Sequence, residues 1–291
     1  MARWFVLLQR LLPQRALSEL VGWLTRLRAG PLTQLAIRLF IRAFGVDMRE
    51  AAMPDPRAYA SFNAFFTRAL QPAARPFASD PAAVVCPADG HVSECGTLDR
   101  DRLVQAKGID YTLLDLFDGD SALAQAFEHG TYCTIYLAPF DYHRVHMPCG
   151  GRLEALRYVP GALFSVNAAT TTILPRLFCR NERVITVFGD GASRFALVMV
   201  GAFNVGSIAL TLPRATAFSN RPATTWRAGI THAFSAEPAC ARGDEYGRFN
   251  MGSTVIVIAA PGVMRLDATI APGRRTRVGE ALGWRLPAPP A

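Results

Sequence analysis

A single lysine, Lys107, stands among 291 residues and faces thirty arginines. That scarcity bears on chemistry, because an enzyme built on pyridoxal phosphate needs a lysine for its internal Schiff base, and "AKGIDY" around Lys107 shows no phosphate cradle. Other absences narrow the classes further. Cys86, Cys95, Cys133, Cys149, Cys179 and Cys240 form no C-x-x-C pair and follow no secretory leader, so neither a disulfide framework nor a zinc ribbon is indicated. Core thiols in a reducing compartment are the expectation. No apolar run approaches the roughly 20 residues that a spanning helix requires. The hydrolase elbow G-x-S-x-G is missing as well.

What is present begins with charge. The chain carries a formal net +8 and a sequence pI near 9.6. Residues 1–50 hold eight arginines against Glu19, Asp47 and Glu50, a net +5, so most of the excess lies in the first sixth of the chain. The same segment repeats apolar residues at helical spacing: Trp4, Leu7, Leu8, Leu11; Leu17, Leu20, Val21, Leu24, Leu27; Leu32, Leu35, Leu39, Phe40. Pro13, Gly30-Pro31 and Gly45 divide it into three short amphipathic helices. Trp and Phe beside so many Arg fit helices lying on an anionic bilayer; a cap packed on the protein's own core is the plain alternative. No nucleic-acid-binding module is recognisable.

After residue 50 the character changes. A Pro/Ala-rich connector, "QPAARPFASDPAA" at 71–83, leads to short apolar runs: "AVVC", "TYCTIYLAP", "RVITVF", "FALVMVGAFNVGSIAL" and "STVIVIAA". Turns such as "GDGAS" at 189–193 separate them, and no regular βα alternation appears. The expected fold class is α+β, with amphipathic helices over 1–50 followed by a mostly antiparallel β domain over 51–291.

Three stretches can carry chemistry. "PADG" places Asp89 at a turn before a strand, "YHRVHMP" brings His143 and His146 together, and "MGST" puts Ser253 behind Gly252 at the mouth of an apolar strand. Asp-Gly and Gly-Ser are ordinary turn dipeptides, and two histidines without a third ligand at a recognisable spacing make a weak metal site. Taken together, Ser253, His146 and Asp89 have the composition of a nucleophile, a base and an orienter. A serine whose target is its own backbone makes sense of the missing elbow. Attack of the Ser253 hydroxyl on the carbonyl of Gly252 would turn the peptide into an ester, and a glycine there crowds the attacked carbonyl least. His146 would take the hydroxyl proton and Asp89 would hold its imidazole. Elimination and loss of ammonia would leave a pyruvoyl group on the new N-terminus.

These residues lie within motifs through which the chain resembles the phosphatidylserine decarboxylases of the short, membrane-associated bacterial type. The motifs are "SFNAFFTRAL" at 61, "PADG" at 87, "KGIDYTLLDLF" at 107, "YHRVHMP" at 142, "PGALFSVN" at 160, "RNERV" at 180, "VGAFNVGSI" at 200 and "GRFNMGSTVI" at 247. The resemblance implies self-cleavage between Gly252 and Ser253 into a β chain, 1–252, and an α chain, 253–291, which stay together as a heterodimer; a higher oligomer stays open. It implies a covalent pyruvate cofactor derived from Ser253, Asp89 and His146 as the charge-relay pair of the cleavage, and no metal. The implied reaction is decarboxylation of phosphatidylserine to phosphatidylethanolamine, in phospholipid biosynthesis at the cytoplasmic face of the cell membrane. His143 is the candidate to protonate the α-carbon or to position the substrate carboxylate. Met251 stands where the family usually has Leu, and Arg242 and Gln71 where it has Lys. Two alternatives remain at this point, a pyridoxal-phosphate enzyme using Lys107 and a non-catalytic peripheral membrane scaffold.

Overall fold

The structure is a computed structural model that describes residues 2–189, 193–203, 207–212, 231–234, 239–250 and 253–287. Most of the "GDGAS" turn, together with Met251 and Gly252, lies outside the described residues.

Three helices open the chain, bounded where proline and glycine require: α1 (Ala2–Leu11), α2 (Gln14–Arg26) and α3 (Pro31–Phe44). Pro13 immediately precedes α2, Pro31 opens α3, where its missing N–H costs nothing, and Gly45 closes α3 in the left-handed region at φ 64°. Their orientation departs from the usual arrangement, in which the whole apolar stripe faces the core, because most of the stripe is exposed. Val6, Gln9, Ser18, Thr33 and Ile37 are buried, whereas Trp4 (74 % exposed), Leu7, Leu8, Leu11 (76 %), Leu20, Trp23, Leu24, Leu32, Leu35 and Leu39 face outward. Polar side chains make the grip. Gln9 Oε1 accepts from Ser165 N at 2.7 Å, Gln14 Oε1 from Leu163 N at 2.8 Å, and Arg26 Nη2 donates to Ser207 Oγ at 3.1 Å. A small apolar cluster of Ile37, Val46, Tyr59 and Phe65 ties α3 to the short helix α4 (Phe62–Phe66). The helical region and the residues after 50 therefore share packing.

The rest is dominated by one antiparallel sheet, of nine strands among the described residues. Ser253–Ala259, buried at all seven positions, runs through it between Arg194–Val200 and Thr131–Leu137. A strand buried on both faces reads as a continuous Val/Ile run, as "STVIVIA" does. The long apolar stretch 195–210 supplies two strands, Arg194–Val200 in this sheet and Ile208–Leu210 in another. Gly151–Val159 and Gly90–Thr97 complete much of the sheet, although their mixed polar and apolar letters give little strand signal. With the three long helices at the start of the chain and a mostly antiparallel sheet after them, interrupted only by short helical turns such as Ser121–Phe127, the fold is α+β, as the composition pattern indicates.

A second sheet decides where the site lies. It contains Ile208–Leu210, Glu245–Phe249 and Arg144–His146. Two segments cross from it to the large sheet: 250–252 leads into Ser253–Ala259, and 138–143 leads out of Thr131–Leu137. Pairing holds both ends of this crossing, because Phe249 N donates to His143 O at 3.0 Å and Ser253 lies opposite Leu137. Residues far apart in sequence thereby meet at one junction.

Candidate active site

Ser253 begins the central strand fully buried, and its Oγ has no hydrogen-bond partner among the described residues. An unpartnered buried hydroxyl is costly, so native cores rarely keep one without a use. Just upstream, Asn250 is anchored from several sides: its N donates to Ser207 O at 2.9 Å, its Nδ2 to Ser207 Oγ at 2.6 Å, and Asn63 Nδ2 donates to its Oδ1 at 3.1 Å. The "SFNAFF", "NVGSI" and "RFNMGST" motifs are thus in contact. Their shared purpose is legible only in space.

His143 is the second group at the junction with an unused atom. It is fully buried, with the Phe66 ring at 4.1 Å, and its Nδ1 donates to the Asp141 carbonyl at 2.8 Å. That bond leaves Nε2 as the unprotonated atom, and Nε2 is buried without a partner. Burial pushes its pKa down to about 3, so the ring is neutral near pH 7 and presents a lone pair. The sequence alone suggests an imidazole free to act as an acid near neutrality; the tertiary structure makes it an acceptor. Asp141, whose carboxylate accepts from Ala138 N at 2.8 Å, holds the turn that aims it.

His146 sits three residues along, opposite Glu245 in the small sheet. Both of its nitrogens are engaged: Nδ1 donates to Gly243 O at 2.8 Å and Nε2 accepts from Tyr142 Oη at 3.1 Å. Gly243 can serve because it adopts φ 90°, and a Cβ there would come within 2.9 Å of the Phe77 ring. Burial lowers the pKa of His146, opposed in part by the bond to Gly243.

Asp89 is buried at a bend before Gly90–Thr97, the strand entrance suggested by "PADG". Gly90 is required there, since a Cβ would lie 2.3 Å from Tyr136 O across the strand pair. The Asp89 carboxylate does not bond His146. Arg75 donates to it through Nε at 3.0 Å and Nη2 at 2.5 Å, and Val278 N donates at 2.9 Å. Orientation of the His146 ring, expected from Asp89, comes in this structure from Gly243 O and Tyr142. Asp89 reaches His146 only through its charge, which favours the protonated ring. Arg75, Tyr142, Asn63 and Asn250 are not singled out by the sequence; the last three lie inside quoted motifs, whereas Arg75 sits in the Pro/Ala connector without any local signal.

Lys107 is exposed in the turn between Arg102–Ala106 and Ile109–Thr112, a position that does not favour the pyridoxal-phosphate alternative. None of the six cysteines, all of them among the described residues, is in a disulfide.

Comparison with known proteins bears on the family of the chain. The family described as phosphatidylserine decarboxylase matches residues 62–284, and a second description, PSD, matches residues 4–45. Curated relatives named phosphatidylserine decarboxylase proenzyme include one from Azoarcus sp. (strain BH72), 47 % identical over 280 residues covering 96 % of this chain and 94 % of the relative. Another from Herminiimonas arsenicoxydans is 45 % identical, covering 98 % of this chain and 96 % of its own length, and one from Nitrosococcus oceani is 44 % identical, covering 97 % and 91 %. With a matching family over most of the chain and relatives of this identity along nearly its whole length, the chain belongs to the phosphatidylserine decarboxylase family.

Proposed function

We propose that this chain is a proenzyme that cuts itself between Gly252 and Ser253 and then decarboxylates phosphatidylserine to phosphatidylethanolamine. The observation that carries the reading is the Ser253 hydroxyl, fully buried, without a partner among the described residues, and at the first residue of the central strand. In the cleavage, Ser253 Oγ attacks the carbonyl carbon of residue 252 and the peptide nitrogen becomes the leaving amine of an ester. His146 is the base: its tautomer, with Nδ1–H on Gly243 O, leaves Nε2 to accept the proton once the Tyr142 hydroxyl gives way. Glu245, opposite His146 in the small sheet, and more weakly Asp89 support the imidazolium that forms by charge, Asp89 across the site and not through a hydrogen bond.

A pyruvoyl ketone derived from Ser253 would supply the electron sink for decarboxylation. The buried start of the strand suits such a group, because it is shielded from solvent. His143 Nε2, neutral and without a partner among the described residues, accepts a hydrogen bond from the substrate's amino group and so holds the amine for reaction, and His143 is the candidate to pass a proton to the α-carbon after carbon dioxide leaves. The α chain stays bound after the cut, because Ser253–Ala259 is hydrogen-bonded on both sides to strands of the β chain and Ala281–Arg285 pairs with Ala83–Val85. The outward apolar face of α1–α3 fits a peripheral membrane surface at the cytoplasmic leaflet; among the described residues no helix is long and apolar enough to cross a membrane.

The test is the denatured mass of purified protein together with its activity. Two fragments are expected, residues 1–252 and the 39 residues 253–291, the smaller near 4 kDa and lacking a free amino terminus. Borohydride with an amine should add to that fragment. A fully active protein that remains one chain would refute the reading.

A further inference from the structure

Beside the Asp89 bend lies a polar cavity of about 240 Å³, lined among others by Val46, Arg68, Arg75, Asp89, Tyr142 and Arg277. Its cations are not equivalent. Arg75 is paired with Asp89 and Glu50, Arg277 with Glu50, and Arg275 with Asp141. Arg68 is different: only 6 % exposed, it makes no side-chain hydrogen bond or ion pair among the described residues, and its buried Nε has no acceptor. Its one close partner is the Phe65 ring, 5.4 Å from the guanidinium carbon. A buried guanidinium keeps its charge and is costly to leave uncompensated, so a cavity wall built this way calls for an anion.

We propose that Arg68 binds the phosphodiester of the phospholipid headgroup and so positions the substrate; the inference rests on the phosphatidylserine reading above. Three observations point to that anion. First, Arg68 belongs to the same short segment as Phe66, which packs on His143, and its charge is among those acting on His143, so the cavity adjoins the reacting end. Second, Gly45 and Val46 at the end of α3 line the cavity, and α3 carries the exposed Leu32, Leu35, Leu39 and Phe44, which places an apolar face for acyl chains next to a polar one for the headgroup. Third, the substrate has two anionic groups, and only one suits an arginine. A guanidinium on the carboxylate would stabilise the ground state that decarboxylation must leave, whereas the phosphodiester keeps its charge throughout, so the bond lowers KM without holding back the chemical step. The planar fork of Arg matches two phosphate oxygens.

Self-cleaved wild type, Arg68→Met and Arg68→Lys would be compared on phosphatidylserine in mixed micelles and on an O-alkyl serine amphiphile that has no phosphate. Arg68→Met should lower kcat/KM on phosphatidylserine by roughly 10- to 100-fold, mainly through KM, the range expected for lost charge-assisted hydrogen bonds. On the phosphate-free amphiphile it should match wild type. Arg68→Lys should recover part of the loss on phosphatidylserine. An equal loss on both substrates, or no loss on either, overturns the assignment. If Arg68→Met does not mature, Arg68→Lys decides alone: a rise in KM of several fold confined to phosphatidylserine supports the role, and any other pattern overturns it. Calorimetric binding of glycerophosphoethanolamine, expected for wild type and weakened in the variants, tests the anion site without turnover. A wild type that binds this probe but never decarboxylates phosphatidylserine would overturn the enzymatic reading and leave the anion site standing.

Discussion

Replacing Trp4, Leu8 and Leu11 together by Gln should remove most membrane binding while leaving the fold's stability nearly untouched. The separation follows from exposure: these side chains are 74 %, 54 % and 76 % exposed, so the folded protein in water gains little from them. Exposed substitutions of this kind usually change stability by less than about 0.5 kcal/mol each, and Gln keeps good helix propensity. At a bilayer the same atoms leave water. At about 0.8 kcal/mol per inserted methylene, the exposed portions of one Trp and two Leu contribute on the order of 4 kcal/mol, close to a thousandfold in partition. Exposed Arg10, Arg28, Arg38 and Arg42 add an electrostatic part of about 1 kcal/mol each near an anionic leaflet, screened beyond roughly 8 Å at physiological salt. In sedimentation with phosphatidylserine-containing vesicles, the triple variant should remain in the supernatant at moderate salt, whereas wild type weakens as salt rises but still sediments. Thermal unfolding should be unchanged within a few degrees. A triple variant that sediments like wild type, or one whose Tm collapses, would show that the apolar face serves as packing surface and not as a membrane contact.

Removing residues 1–45 should likewise release the protein from vesicles, but at a cost in stability, because Ile37 is buried against Tyr59 and Phe65 and Gln9 and Gln14 bond the 163–165 loop; comparing its unfolding curve with that of the triple variant checks this. His146→Ala should block the cut after Gly252, whereas His143→Ala should cleave and then turn over poorly, as gel mobility and carbon dioxide release would show; two variants that both mature and work normally would remove both assignments. His143 also makes stability depend on pH. Its folded pKa, about 3, lies below the unfolded value near 6.5, so the unfolded chain binds more protons between them and stability is complete above about pH 6.5 and lost as pH falls. Between pH 7 and 5 wild type should lose roughly 2 kcal/mol more than His143→Gln in denaturant titrations. Asp89→Asn should block cleavage and also destabilise by about 3 kcal/mol, since it leaves Arg75 buried with Glu50 alone; a variant that fails to cleave with an unchanged midpoint would assign Asp89 to chemistry only.

The sequence by itself determined the helix boundaries at its start, because Pro13, Pro31 and Gly45 act through their own backbone chemistry and need no tertiary context. It also determined the strand Ser253–Ala259 and the strands of "TYCTIYL" and "RVITVFG", whose Val/Ile density admits little besides a doubly covered sheet, and it placed Ser253 at a strand mouth. Gly151–Val159 was not legible, because its place in the sheet comes from pairing with Arg183–Gly189 and not from its own letters. Which face of α1–α3 meets the body could not be read from periodicity either: an apolar stripe looks the same whether it seeks a core or a bilayer, and only the tertiary structure settles that Gln9, Gln14 and Arg26 bond the body while Val6 and Ile37 pack on it and most of the stripe stays exposed. At the site, the motifs named Asp89, His143, His146 and Ser253, yet which of them share a hydrogen bond depends on distances set by the crossing of two sheets. Arg75 takes the Asp89 carboxylate, Gly243 and Tyr142 take both nitrogens of His146, and burial turns His143 into a neutral acceptor. Those assignments are properties of solvent exclusion and long-range pairing, which no local stretch of residues encodes.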